Sequence, residues 1–537
     1  MTELLTAAQM RAIEMAAIVS GNVTGLELME RAGRGVVDAI FSEWPQLAAG
    51  SFRAVVLCGP GGNGGDGFVV ARLLKEWGWE VKVFLYGDPE RMPPDARANY
   101  ERWCGMGEIY NAAEIRDHDQ LIDLEPDVFV DGLFGIGLSR QIVFSADELR
   151  NFFDYSQRWL FDSGAPTVSI DVPSGVCSDS GRSLGAAMTA ALTVTFHAAK
   201  VGHFLADDDG SRCRKLSVVD IGLPKQHRLN LPERIRSTLP KDLRDTVWTV
   251  VDPGVNLQKK GWERHKYSYG HALILSGPHG RGGAARLAAR GALRIGAGVV
   301  TVGCPADTLA EHAARLDAIM LRWVEDAAAL AGVLEDERIN AVCLGPGMGV
   351  SRAKAMLAVA LGAAGSRGKP RPAVLDADAL TALAEAPELV AMLHGTCVLT
   401  PHAGEFARLF PDIAARLAAP ATTGPAYSKV DATRDAAARA GCVVLFKGPD
   451  TVIAEPSGRC SINSAAYDRA APWLATAGSG DVLAGFIAGL LARGYAPMPA
   501  AETAAWLHVE CARSFGPGLI AEDLPEELPQ VFRALGL

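Results

Sequence analysis

The 537-residue chain lacks the features that mark several classes of protein. It has 52 Lys and Arg residues against 62 Asp and Glu residues, so it has no basic excess of the kind that nucleic-acid binding usually leaves. Its ten cysteines include no CxxC pair, which argues against a zinc site or a disulfide framework. The uncharged run 183–199 is interrupted by threonines and a histidine, which makes it a poor membrane span. Glu3 stands where a signal peptide would carry positive charge. We therefore expect a cytoplasmic protein with reduced thiols that binds neither nucleic acid nor membranes.

What the chain does contain is the alternation of an α/β protein. Hydrophobic residues make up 49% and charged residues 21%, which is typical of a globular protein, and the length exceeds one ordinary domain. In both halves β-branched runs alternate with helical patterns, which predicts parallel sheets covered by helices, with sites at the carboxyl ends of the strands. The predicted strands are 53–58, 81–86, 127–131, 167–172 and 192–196 in the first half, and 271–277, 298–303, 341–345, 372–377, 397–401 and 442–448 in the second.

The alternation fails between residue 225 and about residue 261, where the chain is rich in proline and charge. This interruption favours two consecutive domains. We predict domains at 1–225 and 240–537, joined by a linker at 226–239.

The first half contains a glycine-rich loop, "GPGGNGGDGF", between a predicted strand and a predicted helix. Backbone N–H groups in such a loop can converge on an anion, although a turn without a ligand is also possible. Two further strand ends carry Asp131 in "DGLFGIG" and Asp171 with Ser174 in "SIDVPSG". Asn63, Asp131 and Ser174 could supply oxygen ligands to a hard cation. Asp171 could move a proton in a pocket or simply cap a turn.

The second half contains a comparable loop, "GSGD", which opens a pattern of apolar residues at helical spacing. The start of a helix suits a phosphate group because its N–H groups are free and its dipole is positive there. Asp481 at this point could accept a proton from a substrate hydroxyl during phosphoryl transfer. The plainer alternative is that Asp481 stabilises the start of its own helix.

Four ordered motifs, "LMERAG", "GNGGDG", "DGLFGIG" and "SIDVPSG", together resemble the NAD(P)H-hydrate epimerase domain of the YjeF N-terminal type over residues 1–225. The resemblance implies a Rossmann-like doubly wound sheet, with Asp171 as acid/base at the hydrated nicotinamide ring. It also implies a potassium ion held by Asn63, Asp131 and Ser174. Gly62 departs from the family, which often has a second asparagine there. The residues implied to hold the damaged dinucleotide are Gly62, Asn63, Gly64, Gly65, Asp66, Gly135, Ile136, Gly137, Leu138, Ser139, Arg140, Gln141 and Asp171.

Residues 240–537 resemble the ribokinase-like fold through "GPGMG", "LDADAL", "FKGPDTVIAEPSG" and "GSGD". More narrowly, "HKYSYGHALILSGPHGRGGAARLAARGALRIGAGVVTV" and "TPHAGE" resemble the NAD(P)H-hydrate dehydratase family. The stretch before "GSGD" departs from that family because it lacks an Asn-Pro-Gly-Leu-type lead-in. The resemblance implies that Asp481 is the catalytic base. It implies hydrate contacts at Ala284, Gly347 and His402, and adenine-nucleotide contacts at Lys447, Gly448, Pro449, Asp450, Thr451 and Gly480.

Together the two resemblances predict a bifunctional enzyme, an isomerase fused to a lyase. The first domain would interconvert the R and S epimers of NADH or NADPH hydrate. The second would dehydrate the S form at the expense of ADP, giving AMP and phosphate, with Mg²⁺ present. We expect the protein to form a homo-oligomer. Two alternatives remain open at this point: a vitamin-precursor-type kinase in the second domain, and a nucleotide-binding or interaction module without turnover in the first.

Overall fold

The computed structural model of the protein describes residues 1–115, 119–143, 149–158, 165–206, 212–224, 246–259, 265–363, 368 and 370–537. The predicted linker, 226–239, lies outside these residues. The chain forms two compact units. The first unit comprises Glu3–Thr246 together with Pro420–Ser428, and the second comprises Met1–Thr2, Val247–Ala419 and Lys429–Leu537.

The first unit contains a parallel sheet with the strand order β4-β3-β2-β5-β6-β7-β8. The chain begins with the short strand β1, Thr2–Leu4. The sheet strands are β2 (Arg53–Cys58), β3 (Glu80–Leu85), β4 (Ile109–Asn111), β5 (Val128–Gly132), β6 (Thr167–Ile170), β7 (Ala190–Phe196) and β8 (Cys213–Val219). The described helices of this unit are α1 (Ala7–Val19), α2 (Gly25–Glu43), α3 (Gly62–Glu76), α4 (Pro94–Cys104), α5 (Asp119–Ile122) and α6 (Arg150–Arg158).

The register of this sheet brings together the three strand ends that carry the sequence motifs. β2 pairs with β5 so that Cys58 lies opposite Gly132. β5 pairs in turn with β6 so that Asp131 lies opposite Ser169. Because parallel strands end at the same edge, the loop after β2, the loop after β5 and the turn after β6 are neighbours. Their polar residues can therefore share one site.

The second unit contains a mixed sheet in which ten described strands follow the order β9-β18-β17-β16-β15-β14-β13-β10-β11-β12. Only the pairs β16–β17 and β17–β18 are antiparallel among those for which a register is described. The strands are β9 (Val247–Thr249), β10 (His271–Leu275), β11 (Val299–Cys304), β12 (Met320–Trp323), β13 (Ala341–Leu344), β14 (Ala373–Leu375), β15 (Cys397–Leu399), β16 (Val443–Phe446), β17 (Asp450–Ala454) and β18 (Cys460–Ser464).

Helices cover the sheet of the second unit. They are α7 (Gly283–Arg294), α8 (Leu309–Ala313), α9 (Ala327–Leu334), α10 (Val350–Gly362), α11 (Ala377–Glu385), α12 (Pro387–Val390), α13 (Ala403–Leu409), α14 (Pro411–Ala418), α15 (Lys429–Ala440), α16 (Ser479–Ala492), α17 (Pro497–Phe515) and α18 (Asp523–Ala534). The predicted fold class, two consecutive α/β domains, is confirmed in this arrangement of helices and sheets.

Helix α16 lies in the core of the second unit, where every residue from Val482 to Ala492 is buried. It packs closely on α7 because both helices have small residues at the contact. A Cβ atom on Gly485 would come within 2.0 Å of the Ala288 carbonyl oxygen, so only glycine permits this approach. Tight packing on α7 holds the start of α16, and with it Asp481, in a defined position.

The nine-residue segment Pro420–Ser428 belongs to the first unit although it lies in the second half of the sequence. The Gln141 N–H donates to the Thr422 carbonyl (3.1 Å), and the Gly424 N–H donates to the Ser139 carbonyl (3.0 Å). Ala421 and Ala426 also pack with buried Cys177 and Leu184. This segment therefore supports the loop that follows β5.

None of the described helices is both long enough and apolar enough to cross a membrane. All ten cysteines are free, and nine of them are buried. The thiols thus contribute to the packed interior without forming disulfides.

Candidate active sites

The neighbouring strand ends of the first unit surround a cavity of about 540 Å³. Most of the residues predicted to hold the dinucleotide line it: Gly62, Asn63, Asp66, Gly135, Ile136, Gly137, Leu138, Ser139, Arg140 and Asp171. Gly64, Gly65 and Gln141 are not among its lining residues. Gly64 instead packs against the loop itself, since a Cβ there would lie 1.9 Å from the Gly59 carbonyl oxygen, and Gly65 packs against Met29.

Asp171 lies in the turn after β6, and both of its carboxylate oxygens are engaged. Oδ1 accepts a hydrogen bond from the Thr195 hydroxyl (2.9 Å) and lies 3.1 Å from the Lys200 ammonium group. Oδ2 accepts from the Ile136 N–H (3.2 Å) in the loop after β5. The backbone of Asp171 has φ +65°, a conformation that is uncommon for a residue with a side chain. Such strain at a cavity wall is common at functional sites.

Lys200 is the buried partner that keeps Asp171 ionised. Its side chain is only 1% exposed, and its ammonium group also donates to Thr195 and to two backbone carbonyls. Burial alone would raise the pKa of Asp171, but the charge of Lys200, together with the hydrogen bond from Thr195, outweighs it and lowers that pKa. Burial, and then Lys200, lower the pKa of His203 to about 4. His203 is therefore neutral and donates from Nε2 to the Asp171 carbonyl (2.9 Å).

Asp131 and Ser174, two of the predicted cation ligands, are in direct contact. The Ser174 hydroxyl donates to Asp131 Oδ1 (2.5 Å), and the Ser174 N–H donates to Oδ2 (2.8 Å). Asn63 lies at the start of α3 and faces the loop after β5, which also follows Asp131. A Cβ on Gly135 of that loop would come within 2.8 Å of the Asn63 Oδ1 atom. Among the described residues no partner is found for the buried Asn63 Nδ2 group.

Two further carboxyl groups face this cavity, Glu14 from α1 and Asp66 from α3. Burial, and then the charge of Asp171, raise the pKa of Glu14 to about 7. Burial, Asp171 and Glu14 raise the pKa of Asp66 well above its ordinary value. The cavity thus contains one carboxyl group held ionised and two that retain their protons more readily.

In the second unit Asp481 occupies the first turn of α16. This helix begins at Ser479, directly after Gly478, whose backbone is in the left-handed conformation. Burial, and then the negative charge of Asp376, raise the pKa of Asp481 to about 7, while Lys447 opposes the shift. Lys447 lies beside this turn, since a Cβ on Gly480 would be 3.4 Å from its Nζ atom. A carboxyl group with a pKa near neutrality at a helix start can act as a general base.

Lys447 connects the predicted base to two other carboxylates. Its Nζ atom lies 2.8 Å from Asp376 Oδ1 and 3.8 Å from Glu405 Oε2. Burial alone would lower the pKa of Lys447, but Asp376 and Glu405 outweigh it and raise that pKa. Lys447 is therefore a cation in a largely acidic site.

The predicted hydrate contacts of the second unit lie in two places. Ala284 and Gly347 are neighbours, since a Cβ on Gly347 would lie 3.3 Å from the Ala284 Cβ. His402 is an exposed residue that caps α13, where its Nδ1 atom accepts from the Gly404 N–H (3.0 Å). Its own N–H donates to Glu405 (2.9 Å), which ties His402 to the carboxylates around Lys447.

The predicted nucleotide segment forms the turn between β16 and β17. Gly448 and Pro449 are exposed, whereas Asp450 and Thr451 are buried as the first residues of β17. Asp450 Oδ1 accepts from the Lys429 ammonium group (2.6 Å), and the Thr451 hydroxyl donates to the Gly448 carbonyl (2.8 Å). Asp450 and Thr451 therefore shape the turn, and its exposed glycine is open to a ligand.

Sequence reasoning missed several charged residues of both sites: Arg11, Glu14 and Lys200 in the first, and Asp376, Glu405 and Lys429 in the second. Asp376 and Glu405 lie inside quoted motifs and follow strand ends, a position that could have identified them. Lys200 and Glu14 carry no such signal, because a lone lysine and a lone helical glutamate look like surface residues in a sequence.

In a comparison with known proteins, each half of the chain matches a family model. Residues 25–202 match the family model described as YjeF-related protein N-terminus, and residues 272–530 match the model for NAD(P)H-hydrate dehydratase. These matches define a fused protein with one domain of each class.

The bifunctional NAD(P)H-hydrate repair enzyme Nnr of Moorella thermoacetica is 35% identical, over 99% of this chain and 97% of its own. The NAD(P)H-hydrate epimerase of Roseobacter litoralis is 45% identical, over 42% of this chain and 100% of its own. A crystal structure of the ADP/ATP-dependent NAD(P)H-hydrate dehydratase of Bacillus subtilis with ATP and Mg²⁺ is 26% identical, covers 57% of this chain and 99% of its own, and has a TM-score of 0.41.

The chain belongs to the family of bifunctional NAD(P)H-hydrate repair enzymes. This membership confirms the predicted pairing of an epimerase domain with a dehydratase domain, and it leaves the kinase alternative less supported.

Proposed function

We propose that this protein repairs hydrated NADH and NADPH at two separate sites, by epimerising the hydrate in the first unit and dehydrating the S form in the second. The observation that carries the proposal is that Asp171 and Asp481, the two carboxylates expected to do the chemistry, lie at strand or helix ends in different units. Domains at 1–225 and 240–537 remain our proposed boundaries, apart from the segment Pro420–Ser428.

In the epimerase site the loops after β2 and β5 bind the dinucleotide, and Asp171 faces the hydrated ring. The glycines at 62 and 135 keep these loops free of side chains, which lets backbone N–H groups approach a pyrophosphate. The ionised Asp171 accepts the proton of the ring hydroxyl, which opens the stereocentre to inversion. Thr195 and Lys200 hold Asp171 for this contact.

The residues beside this loop fit a potassium ion. Asn63, Asp131 and Ser174 provide amide, carboxylate and hydroxyl oxygens, the donor types that hard cations prefer. Among the described residues the buried Asn63 Nδ2 group has no hydrogen-bond partner, which supports a binding role for this side chain. A potassium ion here would supply positive charge close to the phosphate groups. We propose these three residues as its ligands.

In the dehydratase site Asp481 accepts the proton of the hydrate's hydroxyl as that oxygen attacks the terminal phosphorus of the nucleotide. The bond between that phosphorus and AMP breaks as the new one forms, so AMP leaves. Phosphate then departs with the electron pair of its carbon–oxygen bond, and loss of a proton from the neighbouring ring carbon to water restores the double bond. In this proposal Lys447, Gly448 and Gly480 contact the phosphates, and Ala284, Gly347 and His402 contact the hydrate.

We propose ADP as the co-substrate, in keeping with the fused arrangement of the chain. Among the described residues no cluster of three or more His, Cys, Asp or Glu side chains could hold a metal ion. Mg²⁺ would therefore be carried mainly by the phosphates, as is usual for that ion. A cytoplasmic location and a homo-oligomer remain predictions.

The direct test follows NADPH absorbance after the protein is mixed with a hydrate that contains both the R and the S epimer. With ADP present the absorbance of the whole hydrate pool should return, whereas without nucleotide it should not. Recovery with ATP alone would contradict the ADP assignment. Phosphorylation of hydroxymethylpyrimidine-type substrates without action on the hydrate would establish the kinase alternative.

A further inference from the structure

The cavity of the first unit holds a second carboxyl group whose surroundings differ from those of Asp171. Glu14 lies on α1, lines the cavity and is half-buried. Among the described residues no hydrogen-bond or ion-pair partner of its carboxyl group is found. Asp171, by contrast, has both oxygens bound and a lysine beside it. The carboxylate of Asp171 is thus held by protein contacts, whereas the carboxyl group of Glu14 is available to a ligand.

The position of Glu14 is set by the fold. Thr6 caps α1, with its hydroxyl accepting from the Gln9 N–H (3.2 Å). One turn before Glu14, Arg11 donates to the Ile136 carbonyl (2.9 Å) in the loop after β5. The N–H of the same Ile136 donates to Asp171. Residue 136 therefore links the helix that carries Glu14 to the carboxylate of Asp171 across the cavity.

The charges around the cavity give these two groups opposite proton states. Asp171 is ionised beside Lys200, so it can accept a proton but has none to give. Burial and the charge of Asp171 raise the pKa of Glu14 to about 7, against the opposing charges of Lys200 and Arg11. Asp66 and Arg140 also line the cavity, from α3 and from the loop after β5. Near neutral pH Glu14 is therefore protonated in a substantial fraction of molecules whereas Asp171 is ionised, a separation that is typical of acid/base pairs.

Inverting the stereocentre of the hydrate requires one group that accepts a proton and another that donates a proton. The reacting carbon carries the hydroxyl group and is bonded to the ring nitrogen. When a base takes the hydroxyl proton, the carbon–nitrogen bond breaks, its electron pair stays on nitrogen, and the hydroxyl oxygen becomes a carbonyl oxygen. The nitrogen must then receive a proton. Rotation about the adjacent carbon–carbon bond and the reverse step on the other face give the other epimer, with no net oxidation or reduction.

Resting on the proposed epimerase function, we propose that Glu14 is the second catalytic residue of this cavity and gives its proton to the ring nitrogen while Asp171 takes one from the hydroxyl. The two residues exchange roles when the ring closes. Asp66 lies in the first turns of α3, among the residues proposed to bind the dinucleotide, and is not the donor in this assignment.

The test uses the full chain without nucleotide, so that the second unit cannot dehydrate the substrate. Purified S-hydrate is added, and chromatography follows the appearance of the R form between pH 5.5 and pH 9. Because Glu14 must be protonated, the parent rate should fall as the pH rises through about 7. Glu14→Gln should lower kcat about 10²–10⁴-fold, and its residual rate should not show that fall. Glu114→Gln, an exposed substitution in the same unit, is the matched control and should behave as the parent.

Three outcomes would overturn the role of Glu14. The first is a Glu14→Gln protein that epimerises at the parent rate. The second is a fall in the rate of Glu14→Gln that is matched by an equal fall in its affinity for NADPH, which would make Glu14 a binding residue and not a proton donor. The third is a fall above neutral pH that disappears in Asp66→Asn and persists in Glu14→Gln. A parent protein that leaves pure S-hydrate unchanged at every pH would instead contradict the epimerase function itself.

Discussion

At the scale of single residues, the first prediction concerns Asp481, the proposed base of the second unit. Asp481→Asn should slow dehydration about 10²–10⁴-fold, because an amide cannot accept the hydroxyl proton. Burial and Asp376 raise the pKa of Asp481 to about 7. Since the base works in its ionised form, kcat/KM of the parent should fall as the pH drops below about 7. Recovery of NADPH from S-hydrate and ADP, measured across pH, checks both statements.

The control for this experiment is Asp317→Asn, which changes an exposed aspartate of the same unit. It should keep the parent rate and pH profile. Epimerisation, followed without nucleotide, should be unchanged in both variants. Near-normal NADPH recovery by Asp481→Asn would remove Asp481 from the role of base.

The second residue-scale prediction concerns the buried pair of Lys200 and Asp171. Lys200→Met should destabilise the first unit by about 3–5 kcal/mol, because it leaves Asp171 buried without its cation. In the parent, the lowered pKa of Asp171 contributes stability that is present above its unfolded pKa and lost as the pH falls. Without Lys200, burial raises the pKa instead, so the destabilisation should shrink towards low pH. Thermal unfolding of the parent and variant across pH measures this difference.

The double variant Lys200→Met/Asp171→Asn separates charge from packing. Removing the isolated carboxylate should recover part of the lost stability, as expected for residues in direct contact. If the double variant were less stable than Lys200→Met by the full effect of Asp171→Asn in the parent, the two residues would not be coupled.

At the scale of elements, the first turn of α3 depends on close backbone packing against the glycine-rich loop that precedes it. Gly64→Ala should destabilise the first unit, because its Cβ would lie 1.9 Å from the Gly59 carbonyl oxygen and no side chain could move to relieve it. Gly61→Ala is the matched control, since a Cβ there meets nothing within 4 Å. We expect a lower unfolding temperature for Gly64→Ala alone. Equal unfolding temperatures for the two variants would show that the loop can rearrange.

Sequence patterns predict the central strands well and the edges poorly. Runs such as 53–58 and 341–345 form buried parallel strands because β-branched residues suit a sheet that is covered on both faces. The edge strand β8 is not predicted, since "CRKLSVV" has two adjacent charges and no regular alternation, and among the described strands only β7 pairs with it. The antiparallel hairpin of β17 and β18 was also missed, because the alternation of strands and helices favoured parallel pairing.

In the two sites, too, sequence patterns predict some residues and not others. Asp171 and Asp481 are predictable because each lies inside a recognisable motif at a strand or helix end. Lys200 and Glu14 were not, because their proximity to Asp171 depends on how α1 and the chain after β7 fold back over the strand ends. Local sequence identifies the groups that carry a motif, whereas the groups that set their charge come from distant positions.

At the scale of the whole molecule, the sequence does not predict that the segment Pro420–Ser428 belongs to the first unit, again because this depends on contacts between distant positions. Nothing in "PATTGPAYS" separates it from an ordinary loop of the second half, yet it hydrogen-bonds with Ser139 and Gln141 of the first unit. A fragment that ends near residue 225 would lack this segment. Tests of the first unit therefore use the full chain.

The last prediction joins the two activities through a substrate that diffuses between them. With mixed-epimer hydrate and excess ADP, the parent should restore nearly all the NADPH. Asp171→Asn should consume the S fraction and then slow to the spontaneous rate of epimer exchange, because Asn cannot accept the proton. Asp481→Asn should restore almost none. Mixing the two variant proteins should return full consumption, since each supplies the site that the other lacks. Absorbance of NADPH follows all four reactions, and a mixture that stops at the S fraction would show that the hydrate does not exchange between molecules.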